Sequence, residues 1–394
     1  LDSRLGSKVE EGLISKVNQK EMAALGEAYL ASNTIHVVDA VPCDDSAFSP
    51  STNQFGSTQP ITPEKVQTLK AMGLTPGLID CLVKANNSTA RRYWIVDNSG
   101  SMNTQDGNRV LGNQKLVTCS RWAELGDSLR WHGQVAATLG AHTEFRMLNL
   151  TSTLRTQNVV VGAEGSDQNA SIQLLNSVIS SSPSNATPLC SALRNVISEI
   201  RELEPALRAA GKTVSVIIAS DGEASDGDLN AVKATLAPLA HLPCDVVVRL
   251  CTDQDNVVNY WNDIDNDLEL DLDVLDDTAG EGVEVRQLNP WIGYGEALHR
   301  VREFGCAPKV FDLIDENKLV MTQATEFIHF LIGEAVADFP DPQLDPEGYL
   351  SSLKKVLLET RPIFDASQKK IVPWIDVRIF AKRVLKLGGS CITS

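Results

Sequence analysis

The chain has 394 residues, 43% hydrophobic and 22% charged, enough for a substantial core spread over two or three domains. A formal net charge of −16 argues against a nucleic-acid backbone as partner, since neutralising phosphates takes clustered Lys and Arg. No apolar run approaches the roughly 18–20 residues of a membrane span, and no signal-like apolar stretch opens the chain.

Taken in order, residues 1–60 form an N-terminal segment. Lys8 to Ala31 has the mixed charge of a helix, Ile35 to Val38 is a short apolar run, and Pro42 to Asn53 has the turn-rich composition of an exposed linker. The first residue is Leu, so a processed or partial chain is expected, with room for a targeting segment removed ahead of it. Residues 61–90 predict a short helical pair. Thr62 is the N-cap of the first helix, Pro63 lies in its first turn, and Val66, Leu69, Met72 and Leu74 supply its apolar face. Leu78, Ile79, Leu82 and Val83 mark the second.

Tyr93-Trp94-Ile95-Val96 then reads as a buried strand that runs straight into Asp97-Asn98-Ser99-Gly100-Ser101. A carboxylate and two hydroxyls at the carboxyl end of such a strand are hard oxygen ligands, although the same residues also suit an Asx turn capping the next helix. Lys115 to Gly140 predicts one long amphipathic helix, with strands at Thr143 to Leu150 and Gln157 to Val161 and a short helix over Ser171 to Ile179. Thr187-Pro188 is a helix-start signature for residues 189–210, which Gly211 ends. Thr213 to Ser220 repeats the earlier pattern, a buried strand closed by Asp221-Gly222. A helix over Leu229 to Leu242 and a strand over Asp245 to Cys251 follow. Strands alternating with helices predict a doubly wound, mostly parallel α/β sheet with helices on both faces.

Ten acids and no Lys or Arg fall between Asp253 and Asp277, which predicts a solvated acidic surface beside a strand. Asp263 to Asp267 opens like a calcium loop, but Leu268 and Val274 stand where Gly and Glu are needed. Residues 291–394 predict a mostly helical C-terminal region, with helices over Leu298 to Phe304, Val310 to Leu319, Thr322 to Ile332 and Leu350 to Leu358. Trp374 to Leu387 is a basic, amphipathic end piece.

Asp97-x-Ser99-x-Ser101, Thr187 and Asp221, in this order, resemble the von Willebrand factor A domain with its metal-ion-dependent adhesion site. The resemblance spans residues 91–290 and implies a Rossmann-like sheet flanked by helical N- and C-terminal extensions. It implies that Ser99, Ser101 and Thr187 contact a divalent cation through their hydroxyls, with Asp97 and Asp221 acting largely through water. An oxygen shell of this kind suits Mg²⁺, with Mn²⁺ or Ca²⁺ as alternatives. An ion held by hydroxyls and water stays short of negative charge and seeks a carboxylate on a partner protein. The implied function is therefore a cation-dependent adaptor or assembly module.

Two other classes stay open. Eight cysteines without a CxxC pair form neither a zinc site nor a disulfide framework, which points to a reducing, cytoplasmic setting. Sequons at Asn149, Asn169 and Asn185 leave an extracellular adhesion domain as the alternative. A Mg²⁺-dependent hydrolase or phosphatase is the third class. No HExxH, G-x-S-x-G or P-loop pattern supports it. Asp226 and Asp228 could form an acid/base pair, but an acidic rim beside a cation is the simpler expectation.

Overall fold

The computed structural model describes residues 61–387, apart from 113–114, 152–156, 253, 269, 271 and 307. The N-terminal helix, apolar run and linker expected over residues 1–60 lie outside the described residues.

The chain enters through α1 (Pro63–Ala71) and α2 (Pro76–Ser88), and each helix has its Pro inside the first turn and a Thr as N-cap. The hydroxyl of Thr62 accepts from Lys65 N and that of Thr75 from Leu78 N. A Pro costs nothing there because its missing N–H would have had no helical acceptor. Strand β1 (Thr89–Val96) follows, buried along its last five residues.

Six strands form the central sheet among the described residues, in the order β5-β4-β1-β6-β7-β8. They are β4 (Thr143–Met147), β5 (Asn158–Val161), β6 (Thr213–Ser220), β7 (Cys244–Leu250) and β8 (Leu272–Leu275) beside β1. All neighbours pair in parallel except β4 with β5, so one edge is antiparallel. The sheet is doubly wound, as the alternation of strands and helices predicts.

Side chains of period two split its interior into two cores. Tyr93, Ile95, Val214, Val216 and Ile218 face α5 (Leu189–Ala210), α6 (Leu229–Leu236) and α7 (Asp255–Asp267). Trp94, Val96, Ile217 and Ala219 face α3 (Arg121–Leu139) and α4 (Gln168–Ile179). This second core also takes in α1, α2, α8 (Thr278–Leu288), α9 (Glu296–Glu303), α10 (Lys309–Glu316), α11 (Met321–Ile332), α12 (Pro346–Leu357) and α13 (Val377–Arg383). Both helical extensions therefore share one side of the sheet and one apolar interior. α2 and α11 approach at backbone distance, since a Cβ on Gly77 would lie 2.6 Å from Gly333 N and 2.7 Å from the Leu331 carbonyl carbon.

Three expectations need correction. Residues 115–119 are not the start of a long helix but strand β3 (Lys115–Cys119), which pairs antiparallel with β2 (Gly107–Leu111). The helix starts only at Arg121, where Ser120 caps Ala123 N at 3.1 Å. The acidic run is not merely a solvated surface. It contains α7, whose Val257, Tyr260, Trp261 and Ile264 are buried at helical spacing, and then the sixth strand, β8. Residues 263–267 are the last turn of α7, so they are not a loop that could wrap calcium. In the C-terminal region the four expected helices are present as α9 to α12, followed by an unanticipated hairpin, β9 (Ile363–Asp365) and β10 (Lys370–Val372).

Candidate metal centre

The strand order has a switch point. The connection from β1 leads towards β4, whereas that from β6 leads the other way to β7. Adjacent strands whose connections part in this manner leave a crevice outside their carboxyl ends. Asp97 directly follows β1 and Asp221 directly follows β6, so both carboxylates stand at that crevice.

The backbone brings further oxygens to them. Asp97 N extends the ladder to Ala219 O at 2.9 Å, after which the chain leaves the sheet. Asp97 Oδ1 then accepts from Ser99 N at 2.9 Å and Oδ2 from Ser220 Oγ at 2.7 Å. The Asx turn considered from sequence is therefore real, but it uses one oxygen and leaves both serine hydroxyls. Ser99 Oγ lies 2.9 Å from Ser101 Oγ, and Ser101 Oγ donates to Asp221 Oδ1 at 2.8 Å. Asp97, Asn98, Ser99 and Asp221 are almost fully buried, while Ser101 is exposed. The cluster opens to solvent at one hydroxyl.

Thr187 arrives on a separate loop that is stitched to the first. Ser184 N donates to Asn98 O at 2.8 Å, Gly100 N to Asn185 O at 2.9 Å, and Asn149 Nδ2 to Ala186 O at 2.8 Å. Asn98 also clasps the Asn149 backbone through both side-chain atoms. Both backbone groups of Thr187 are held by Ser225: Thr187 N donates to Ser225 Oγ at 3.0 Å, and Ser225 N donates to Thr187 O at 2.8 Å. The hydroxyl of Thr187 is not spent as a helix cap. The N-cap position of α5 is Pro188, and the carboxylate of Asp226 caps from outside, accepting from Cys190 N at 2.9 Å and Ser191 N at 2.8 Å.

The same kind of bond gives Asp226 and Asp228 local roles. Asp226 caps α5, and Asp228 caps α6 by accepting from Ala231 N at 2.8 Å. Both residues remain exposed, and these capping bonds account for them without an acid/base pair. Burial would raise the Asp226 carboxyl, but the hydrogen bonds from Ser191 and Cys190 outweigh it and hold it below the usual range.

Missed from the sequence is Arg121, the first residue of α3. Its Nη1 donates to Asp221 Oδ2 at 2.9 Å, while Nε and Nη2 grip both oxygens of Asp106 at 2.7 and 2.5 Å. No spacing rule points to it, because its partners lie 15 residues before it and 100 after it.

The donor set fits a small divalent cation. Octahedral Mg²⁺ with bonds of about 2.0–2.1 Å places neighbouring ligands about 2.9 Å apart. The Ser99–Ser101 and Ser101–Asp221 oxygen separations of 2.9 and 2.8 Å match that edge. Charge fits as well: Asp97, Asp106 and Asp221 against Arg121 make three negative charges and one positive, a deficit that one divalent ion balances. Burial pushes the Asp97 carboxyl upward, bonds from Ser99 and Ser220 restrain it, and the nearby Asp221 charge adds to the rise. A cation would relieve that strain.

A second acidic group has its own counter-charge. Ligand atoms of Glu281, Glu284 and Asp315 come within 4.8 Å of one another, but Arg302 already bonds Glu281 at 2.7 Å and Asp315 at 2.9 Å. Among the described residues no helix is long and apolar enough to cross a membrane. No known protein family matches the sequence, and no curated protein matches it.

Proposed function

We propose that this protein is a divalent-cation-dependent protein-binding module of the von Willebrand factor A type, in which the ion completes its coordination with a carboxylate from a partner. The observation that carries this reading is the pair of oxygen separations at the ends of β1 and β6, Ser99 Oγ to Ser101 Oγ at 2.9 Å and Ser101 Oγ to Asp221 Oδ1 at 2.8 Å, with Asp97 bonded to the Ser99 backbone beside them. Thr187 lies on the loop stitched to this turn and its hydroxyl does not cap α5, which supports it as the fifth member of the set. Mg²⁺ suits these ligands, with Mn²⁺ or Ca²⁺ as alternatives. The exposure of Ser101 leaves the ion's outer side to a partner. An adaptor or assembly role in the cytoplasm accords with free cysteines at 81, 119, 190, 244, 251 and 306.

Calorimetric titration of the full chain with MgCl₂ tests this. The wild type is expected to bind one equivalent, and Asp97→Ala to lose binding. Removing the Asp97 carboxylate strands two donors and costs about 1–3 kcal/mol of stability. Ser101→Ala at the exposed end is therefore the companion variant, expected to weaken Mg²⁺ binding without lowering the melting temperature. Unchanged Mg²⁺ affinity in both would sink the site. Affinity capture in Mg²⁺ against EDTA then identifies what the loaded site holds.

A further inference from the structure

We infer that Arg121, anchored by Asp106, is a built-in counter-cation of this site: it stands in for the divalent ion when the ion is absent and opposes it when present. This rests on the cation-site reading above. A guanidinium on the first residue of a helix is misplaced by ordinary rules, since the positive end of the helix dipole disfavours a cation there. Arg121 is nonetheless only 3% exposed. Its fork is fully engaged, two nitrogens on Asp106 and one on Asp221 Oδ2, which leaves Asp221 Oδ1 turned to Ser101 and the ion position.

Two consequences follow from the charges. With no ion bound, the buried Asp221 is not left as an uncompensated carboxylate, so the crevice stays folded. With the ion bound, a like charge shares a ligand with it across a poorly screened interior, which lowers affinity and eases release. Asp106 acts in the opposite sense, because its carboxylate offsets part of the guanidinium charge.

The sign of the effect separates this role from a merely structural one. Loss of a structural arginine would weaken ion binding, whereas loss of a counter-cation strengthens it. Calorimetry with MgCl₂ on the full chain is expected to show Arg121→Gln binding at least about tenfold more tightly than wild type and Asp106→Asn about tenfold more weakly. Circular dichroism in EDTA reports whether each variant is folded. Equal or weaker binding by folded Arg121→Gln overturns the inference. If that variant does not fold, Asp106→Asn decides alone, and unchanged or tighter binding overturns it. Absence of Mg²⁺ binding in the wild type itself would instead refute the cation site on which the inference rests.

Discussion

Glu303 lies fully buried at the end of α9 with donors converging on it from three elements. Ser128 Oγ stands at 2.7 Å and His132 Nε2 at 2.9 Å on α3, Arg249 Nε at 3.2 Å on β7, and Arg300 Nη1 at 2.8 Å on its own helix. Burial alone would raise its pKa, but Arg300 and the bonds from His132 and His299 hold it well below the carboxylate range. Arg249 further bonds Glu124, which accepts Asn108 N at 2.8 Å. Removing one member of such a group leaves charge buried without compensation. Glu303→Gln is therefore expected to cost about 3–5 kcal/mol, read from urea unfolding monitored by tryptophan fluorescence. Nothing in the sequence announces this residue. Arg300, Arg302 and Glu303 are at most 4% exposed, and the partners that bury Arg302 and Glu303 (Glu281, Asp315, Ser128, His132 and Arg249) lie far away along the chain. The opposite holds for Asp97, Ser99 and Ser101. Those residues fall within five positions of one another, and a turn fixes their relative geometry, so type and spacing already bring them into one cluster. Arg121 belongs with Glu303: only the folded chain brings it to Asp221.

Among elements, those whose periodicity and punctuation agree were legible. α5 has Thr187-Pro188 ahead of it and Gly211 at φ 62° behind it, and it runs over the residues those signals predict. β1 and β6 were clear from the apolar runs Tyr93 to Val96 and Val216 to Ala219. The β2–β3 hairpin was lost because the spacing of Leu125 and Leu129 extends backwards into 115–119 without a break. Ser120 was the missed signal, a cap standing where the helix starts. In α7 the apolar stripe of Val257, Tyr260, Trp261 and Ile264 was present, but ten surrounding acids drew attention to charge instead. The α2–α11 contact was not legible at all, since close approach at Gly77 depends on the partner backbone. Gly77→Ala would force those helices apart. The expected loss is about 3 kcal/mol, near the upper end of overpacking costs, measured as a lowered urea midpoint with an unchanged slope.

For the whole molecule, acid should be the destabilising direction, starting well above the carboxylate range. Burial pushes the His132 imidazole down to about 4, against an ordinary value near 6.5, despite its bond to Glu303. The folded chain then stays unprotonated at His132 while the unfolded chain takes up a proton. Its contribution to stability is complete above about pH 6.5 and is lost as pH falls towards 4. Glu144 adds a lower window. Burial opposes its ionisation, but bonds from His142 and Arg146 bring it to about 2, so its share is lost as pH falls below about 4.5. Melting temperature followed from pH 7 to 4.5 should fall in wild type and fall less steeply in His132→Gln; parallel slopes would remove His132 as the cause. The same histidine has a mechanical meaning. α3 carries Arg121 in its first turn, Trp122 with its indole N–H on Ile179 O and Ser181 O, and Ser128 and His132 on Glu303. A rod bolted at so many points cannot slide without parting a buried carboxylate from its donors. The crevice between β1 and β6 therefore inherits its shape from the core, a jig set before any ligand arrives.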